Sequence, residues 1–86
     1  MRRDAEFFGE RELALVYIAN RLKKALQLEE VLTLQGIDYL VEPGEYEGGF
    51  LFHSRRIGAF FFVAREQQAE VSAIMNQNGF KPQELS

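Results

Sequence analysis

The stretch Ile57-Gly58-Ala59-Phe60-Phe61-Phe62-Val63 decides the fold of this chain. Aromatic and β-branched residues are enriched in strands, so residues 57–63 are predicted to form the strongest strand. Working outward along the chain, residues 13–19 and 37–42 are the other predicted strands. Pro43-Gly44 breaks the second of these, and a loop is predicted to continue to Gly49.

Two helices are predicted between and after these strands, over residues 21–35 and 65–78. Apolar residues fall on one face of the first helix at spacings of three and four: Leu22, Ala25, Leu28 and Leu32. Asn20 stands where an N-cap belongs, because its side chain can accept a hydrogen bond from a free amide of the first turn. Each helix is followed by a glycine and an apolar residue, Gly36-Ile37 and Gly79-Phe80, which is typical of a Schellman-type stop.

The order of these elements is β-α-β-β-α, and a short last strand can follow Pro82. This order predicts an α+β fold of the ferredoxin-like split β-α-β type, in which two helices cover one face of an antiparallel sheet. Residues 1–11 have no apolar period and are predicted to be an N-terminal arm, ordered only if Phe7 and Phe8 dock. Residues 12–86 are predicted to form one domain, as the total of 86 residues also indicates.

The composition argues against several classes of protein. With 10 basic and 13 acidic residues the net charge is −3, which excludes a generally basic nucleic-acid binder. No apolar run approaches the roughly 18 residues of a membrane span, and the first residues lack the apolar core of a signal peptide. We therefore expect a cytoplasmic protein without a membrane partner. The sequence contains no cysteine, so disulfides and thiolate chemistry are excluded.

Both faces of the predicted sheet are apolar, which is unusual when helices cover one face only. Successive strand residues point to opposite faces, so Phe60 and Phe62 oppose Phe61 and Val63. An exposed apolar face of this size marks an interaction site. This face can be covered by the arm or the 43–53 segment, by a second copy of the chain, or by a ligand. We expect a homodimer or higher oligomer, with an oligomer or ligand face drawn from Tyr17, His53, Phe60, Phe61 and Phe62.

No residue pattern predicts catalysis. His53 is the only histidine, and without a cysteine or a second histidine it lacks partners for a metal site. Ser54 is adjacent to His53, but neighbouring strand positions point to opposite faces, so a hydrolytic pair is not expected. No catalytic residue, metal or cofactor is therefore predicted.

A basic cluster is predicted at one end of the sheet. Arg21 and Lys24 lie in the first turn of the first helix, where their positive charge is repelled by the partial positive charge of the helix end. The predicted topology brings three further basic residues to the same end: Arg55, Arg56 and Lys81. Free amides and guanidinium groups together can bind a small anion. The alternative is a set of solvated side chains.

Two strings resemble the signatures of the RNA-recognition motif. Val16-Tyr17-Ile18-Ala19-Asn20 is similar to its first-strand signature, and residues 56–63 are similar to its third-strand signature. The resemblance implies binding of single-stranded RNA, with Tyr17 and one of the phenylalanines stacking on bases. The longer string has Ile57 and Gly58 where the signature has glycine and then an aromatic residue. Because the chain is also acidic, nucleic acid is not the expected partner.

Over residues 13–81 the chain resembles the small prokaryotic ferredoxin-like signal-transducing domains, which are similar in fold to the nitrogen-regulatory PII and amino-acid-binding ACT modules. The residues that carry this resemblance are Leu28, Leu32, Gly36-Ile37 and Phe62-Val63-Ala64-Arg65-Glu66. The resemblance implies a non-catalytic regulatory or ligand-sensing oligomer. The alternative from the enzyme class is a dimeric α+β barrel in which His53, with Tyr17 or Tyr39, lines a pocket between sheet and helices.

Overall fold

The computed structural model describes residues 1–48 and 54–81. Within these ranges the elements are β1 (Arg2–Arg3), α1 (Ala5–Phe8), β2 (Leu13–Ala19), α2 (Leu22–Leu34), β3 (Tyr39–Gly48), β4 (Ser54–Ala64), a 3-10 turn (Arg65–Gln67) and α3 (Gln68–Gln77). The strand predicted over residues 13–19 is confirmed with those bounds. None of the described helices has the length and apolar character needed to cross a membrane.

The four strands form one sheet in the order β1-β3-β4-β2. β4 runs antiparallel to both β3 and β2, so β2 and β3 are parallel to each other. β1 adds a parallel pair at the edge, where Arg2 is opposite Tyr39 and Arg3 is opposite Leu40. The α+β class is confirmed, but the wholly antiparallel sheet and the count of two helices were wrong, because the arm contributes both β1 and α1. The short last strand expected after Pro82 lies outside the described residues.

β3 and β4 form a longer hairpin than predicted. Their pairing continues through Pro43 opposite Ala59 to Gly48 opposite Ser54, so the loop predicted from Pro43 was wrong over residues 43–48. β1 pairs with the first two residues of β3, and beyond them β3 is an edge strand among the described residues. An edge strand tolerates proline, because no neighbour requires the N–H that proline lacks.

A β-bulge at Val16 decides which face Tyr17 occupies. Leu15 is opposite Phe62 and Tyr17 is opposite Phe61, so β2 has one extra residue between two adjacent pairs. The extra residue, Val16, is buried in the core. Tyr17 therefore lies on the helix-covered face, in edge-to-face contact with Phe61 at 6.4 Å between ring centroids.

α2 and α3 pack on one face of the sheet and enclose the hydrophobic core. The core consists of Val16, Ala19, Ala25, Leu28, Leu32, Ile37, Tyr39, Phe61, Val63, Val71, Met75 and Phe80. Tyr39 and Phe61 stack at its centre, with ring centroids 5.9 Å apart. Leu22, which the helical spacing placed on the same face as Leu28, is exposed instead. It lies in the first turn of α2, beyond the filled part of the core.

Both predicted glycine stops are confirmed. Gly36 and Gly79 have φ angles of 72° and 80°, a conformation that glycine adopts without steric cost. The amides of Ile37 and Phe80 then donate to carbonyl groups five residues back, at 2.9 and 2.8 Å. These bonds turn the chain back onto the core at the end of each helix.

The predicted arm crosses the face of the sheet that the helices leave open. β1 and β2 lie at opposite edges, so residues 4–12 have to pass over β3 and β4. Phe8 is 3% exposed although it is not part of the helix-side core, so its ring is buried on this outer face. Leu40 projects to the same face and is buried as well. Phe7 stays exposed, with the Arg3 guanidinium 4.5 Å from its ring centroid.

Candidate ligand cleft

A cleft opens on the helix-covered face, beside the first turn of α2. The β3–β4 hairpin reaches past the start of α2, so residues of the hairpin that face the helices have no helix above them. The cleft has a volume of about 410 Å³, which is in the range of small-molecule sites.

Small and apolar side chains form the floor of the cleft. They are Ala19, Val41, Pro43, Ile57 and Ala59. Ala19, Ala59 and Pro43 lie side by side across three strands, because Ala59 is opposite Ala19 in one strand pair and opposite Pro43 in the other. Three short side chains in a row leave open the space that larger ones would occupy.

Large apolar side chains around the cleft are exposed. Leu22 on the rim is 76% exposed, and Ile57 on the floor is 73% exposed. Leu26, one helical turn after Leu22, is also exposed but is not among the described residues that line the cleft. Adjacent exposed apolar side chains around a concave surface are typical of a binding site.

Three of the described residues that line the cleft are charged, and they lie on its rim: Arg2, Arg21 and Glu29. The Arg2 guanidinium is 3.7 Å from the Glu29 carboxylate. Among residues 1–48 and 54–81, Arg21 has no carboxylate within 4.0 Å. Two arginines and one glutamate leave one positive charge in excess, although the chain as a whole has a net charge of −3.

The start of α2 does not neutralise this charge. Arg21, rather than the predicted Asn20, is the N-cap residue, and its side chain makes no capping hydrogen bond. The first turn of α2 contains no acidic residue. Its partial positive charge therefore adds to that of Arg21.

A buried hydroxyl holds Glu29 in place behind the rim. The Tyr39 hydroxyl donates to Glu29 Oε1 at 3.1 Å. Thr33 Oγ1 lies 3.3 Å from the same Tyr39 hydroxyl. Burial raises the pKa of Tyr39 above its ordinary value of 10.0. The hydroxyl is therefore protonated at neutral pH, and Glu29 is fixed between Tyr39 and Arg2.

Of the predicted anion-binding residues, Arg21 lines the cleft, and neither Lys24 nor Lys81 is among the described residues that line it. Lys24 Nζ lies 5.4 Å from the centroid of the Phe80 ring, on another side of α2. Lys81 directly follows Phe80 and is exposed.

The two arginines of β4 point to opposite faces of the hairpin. Arg55 Nη1 is 3.3 Å from Glu45 Oε2 in an exposed ion pair. Arg56 is opposite Tyr46, on the outer face. Adjacent strand residues do not converge on one side, so the structure does not gather the five predicted cations around one ligand.

The predicted oligomer or ligand face is divided between the two sides of the sheet. Phe61 is fully buried and Tyr17 lies beside it under the helices. Phe60 and Phe62 lie on the outer face and are half-buried. His53 lies outside the described residues. Because Tyr17 faces the helices, it does not stand on the open face where the RNA-recognition resemblance implies base stacking.

The part of the outer face beyond the arm carries an apolar patch, formed by Ile18, Tyr46 and Phe60 (the outer patch). Tyr46 and Phe60 meet edge to face, with ring centroids 6.3 Å apart. Two opposed glycines make room for them, since a Cβ on Gly44 would lie 2.8 Å from Phe60 and one on Gly58 would lie 3.0 Å from Tyr46. The three side chains thus lie close to the backbone and stay half-exposed.

No family model, curated protein or solved structure matches this chain. The resemblance to ferredoxin-like signal-transducing domains therefore stays a prediction. Among the described residues, no three histidine, cysteine, aspartate or glutamate side chains come together as a metal site.

The cleft itself was not predicted from the sequence. Leu22 was assigned to the core and Pro43 to a loop, so neither was considered for binding. A signal was present in the alternation of Ile57, Ala59 and Phe61, which places Ile57 on the face that the helices cover. The length of the hairpin, which leaves Ile57 uncovered, is set by pairing between distant residues.

Proposed function

We propose that this chain is a small, non-catalytic regulatory module of the ferredoxin-like type that senses a ligand bound in the cleft. The arrangement of its central strands supports this class, because β2 and β3 are parallel, flank β4 and are connected through α2. Such an arrangement is expected of a split β-α-β unit. β1 and α1 are additions at its edge and on its outer face.

The observation that carries the proposal is the cleft, with its open apolar floor and with Arg21, which pairs with no carboxylate of residues 1–48 and 54–81. The described residues that line it include no serine, threonine, cysteine, histidine, lysine or tyrosine that could act as a nucleophile. Glu29 is the one carboxylate there, and it is engaged by Arg2 and Tyr39. Such a lining favours binding over chemistry.

A panel of small fragments, followed by amide chemical shifts of the labelled protein, tests this proposal. We expect at least one fragment to shift the amides of Leu22, Ile57 and Ala59 together. Ala59→Leu fills the cleft from its floor and should abolish that response. Ala73→Leu, the same substitution at an exposed position of α3, is the matched control and should preserve it. No response in the panel, or one that Ala59→Leu leaves intact, contradicts the proposal.

Self-association is a second candidate, and the outer patch favours it. Ile18, Tyr46 and Phe60 lie beyond the part of the outer face that α1 covers and are half-exposed. Ile18 lies on β2 and is opposite Phe60 on β4. β2 pairs with β4 on one side and with no other described strand. An apolar patch beside an open strand edge is a common site for pairing with a second copy.

Light scattering at micromolar concentration separates the monomer, at 9.9 kDa, from larger species. We expect the natural chain to exceed that mass and Phe60→Ser to return to it, with an unchanged circular dichroism spectrum. Phe62→Ser, a like change on the same strand and face, lies nearer the arm and should shift the mass less. A monomeric natural chain contradicts self-association and leaves the cleft proposal unaffected.

A further inference from the structure

The charge balance of the cleft favours a ligand with one negative charge. Arg2 and Glu29 neutralise each other across 3.7 Å, and Glu29 receives a further hydrogen bond from Tyr39. Arg21 is left with no carboxylate among the described residues. A guanidinium group binds a carboxylate with two parallel hydrogen bonds, so one carboxylate completes the rim.

The floor of the cleft requires an apolar body on the same ligand. Pro43 and Ile57 face the opening from the hairpin, and Leu22 faces it from α2. A bare inorganic anion at Arg21 would leave all three side chains in contact with water. An apolar body lying on them removes that surface from water, which is the main source of affinity in small-molecule sites.

We infer that the cleft binds a small amphipathic monocarboxylate, with its carboxylate at Arg21 and its apolar body on Pro43, Ile57 and Leu22. The inference rests on the proposed ligand-sensing function and assigns that function a ligand class. Charge complementarity selects this ligand over its neutral and cationic counterparts.

Octanoate is the probe, with octanamide as a neutral counterpart of the same shape and octylammonium as the cationic one. Each is titrated at low ionic strength into the labelled full chain while amide shifts are followed. Octanoate should shift the amides of Leu22, Ile57 and Ala59 in a saturable way. Octanamide should bind at the same amides about tenfold more weakly, and octylammonium should not saturate.

Two variants that each remove one positive charge test which arginine binds the carboxylate. Arg21→Gln should weaken octanoate about tenfold, to the level of octanamide, while leaving octanamide unchanged. Arg56→Gln removes the same charge from the outer face and should alter neither affinity. Arg21 makes no capping bond, so both variants should keep the natural spectrum away from their own sites.

Equal affinity for octanoate and octanamide overturns the inference, and so does an equal effect of Arg21→Gln and Arg56→Gln. Binding of octanoate at the outer patch instead of the cleft overturns it as well. If neutral fragments bind in the cleft and octanoate does not, the ligand class is wrong and the proposed function stands. If no fragment and no probe binds there, both fail.

Discussion

The helix-covered face of the sheet is filled at one end and open at the other. At the filled end, Phe61 and Leu28 are fully buried between sheet and helices. At the open end, four residues before Phe61 and six before Leu28, Ile57 and Leu22 are more than 70% exposed. The same strand and the same helix thus change from core to surface within about two helical turns.

From this difference we propose that the apolar content of these elements serves two purposes. The side chains at the filled end hold α2 and α3 on the sheet. The side chains at the open end lie where the β3–β4 hairpin extends beyond the start of α2, so they contribute little to the stability of the fold. Exposed leucine and isoleucine at such a place are costly for solubility, and we propose ligand binding as the reason for their presence.

The largest expected effect comes from one substitution made at both ends of α2. Leu28→Ala should lower the free energy of unfolding by about 2–5 kcal/mol, because it leaves a cavity in the core. Leu22→Ala, on the same helix, should lower it by less than about 0.5 kcal/mol. Urea denaturation measures both. Similar losses for the two variants would mean that side chains at the two ends contribute equally to the free energy of unfolding.

The outer face allows the same comparison on the arm. Phe8→Ala should cost about 2 kcal/mol, the order of magnitude for a fully buried aromatic side chain. Phe7→Ala, at the neighbouring and exposed position, should cost less than about 1 kcal/mol through its contacts with arginine. Thermal or urea unfolding decides between them. If Phe8→Ala is neutral, the arm does not stabilise the outer face of the sheet.

A smaller effect is expected at Tyr39, whose hydroxyl supports the rim through Glu29. Its pKa is raised above 10.0 by burial, so folding favours the protonated hydroxyl. The resulting stability is fully present below about pH 10 and is lost as the pH rises through the pKa of the folded state. Unfolding free energies measured from about pH 9 to pH 11 should therefore fall more steeply for the natural chain than for Tyr39→Phe. Parallel curves would show that Tyr39 is not the group responsible.

Local patterns sufficed for part of this fold. The bounds of β2 and the turns at Gly36 and Gly79 follow from short-range preferences of neighbouring residues. Strand β1 could not be predicted in this way. Its two residues have no period, and they form a strand only because Tyr39 and Leu40 provide a partner. The path of the arm across the outer face follows from the same pairing.

The candidate site was harder to predict than the fold. The bulge at Val16 moves Tyr17 to the helix side, and nothing in the alternation of β2 indicates it. Pro43 interrupts an alternating pattern, yet the strand continues through it at the sheet edge. Arg21 was singled out from its basic character, whereas its role at the cleft depends on how far the hairpin extends beyond α2.

The most direct measurement is an isotope-filtered NOE experiment on the labelled chain with unlabelled octanoate. We expect contacts from the octanoate chain protons to the methyl groups of Ile57 and Leu22, and none to the methyl groups of Ile18 on the outer face. Contacts to Ile18, or the absence of contacts to Ile57 and Leu22 at saturating octanoate, would contradict this expectation.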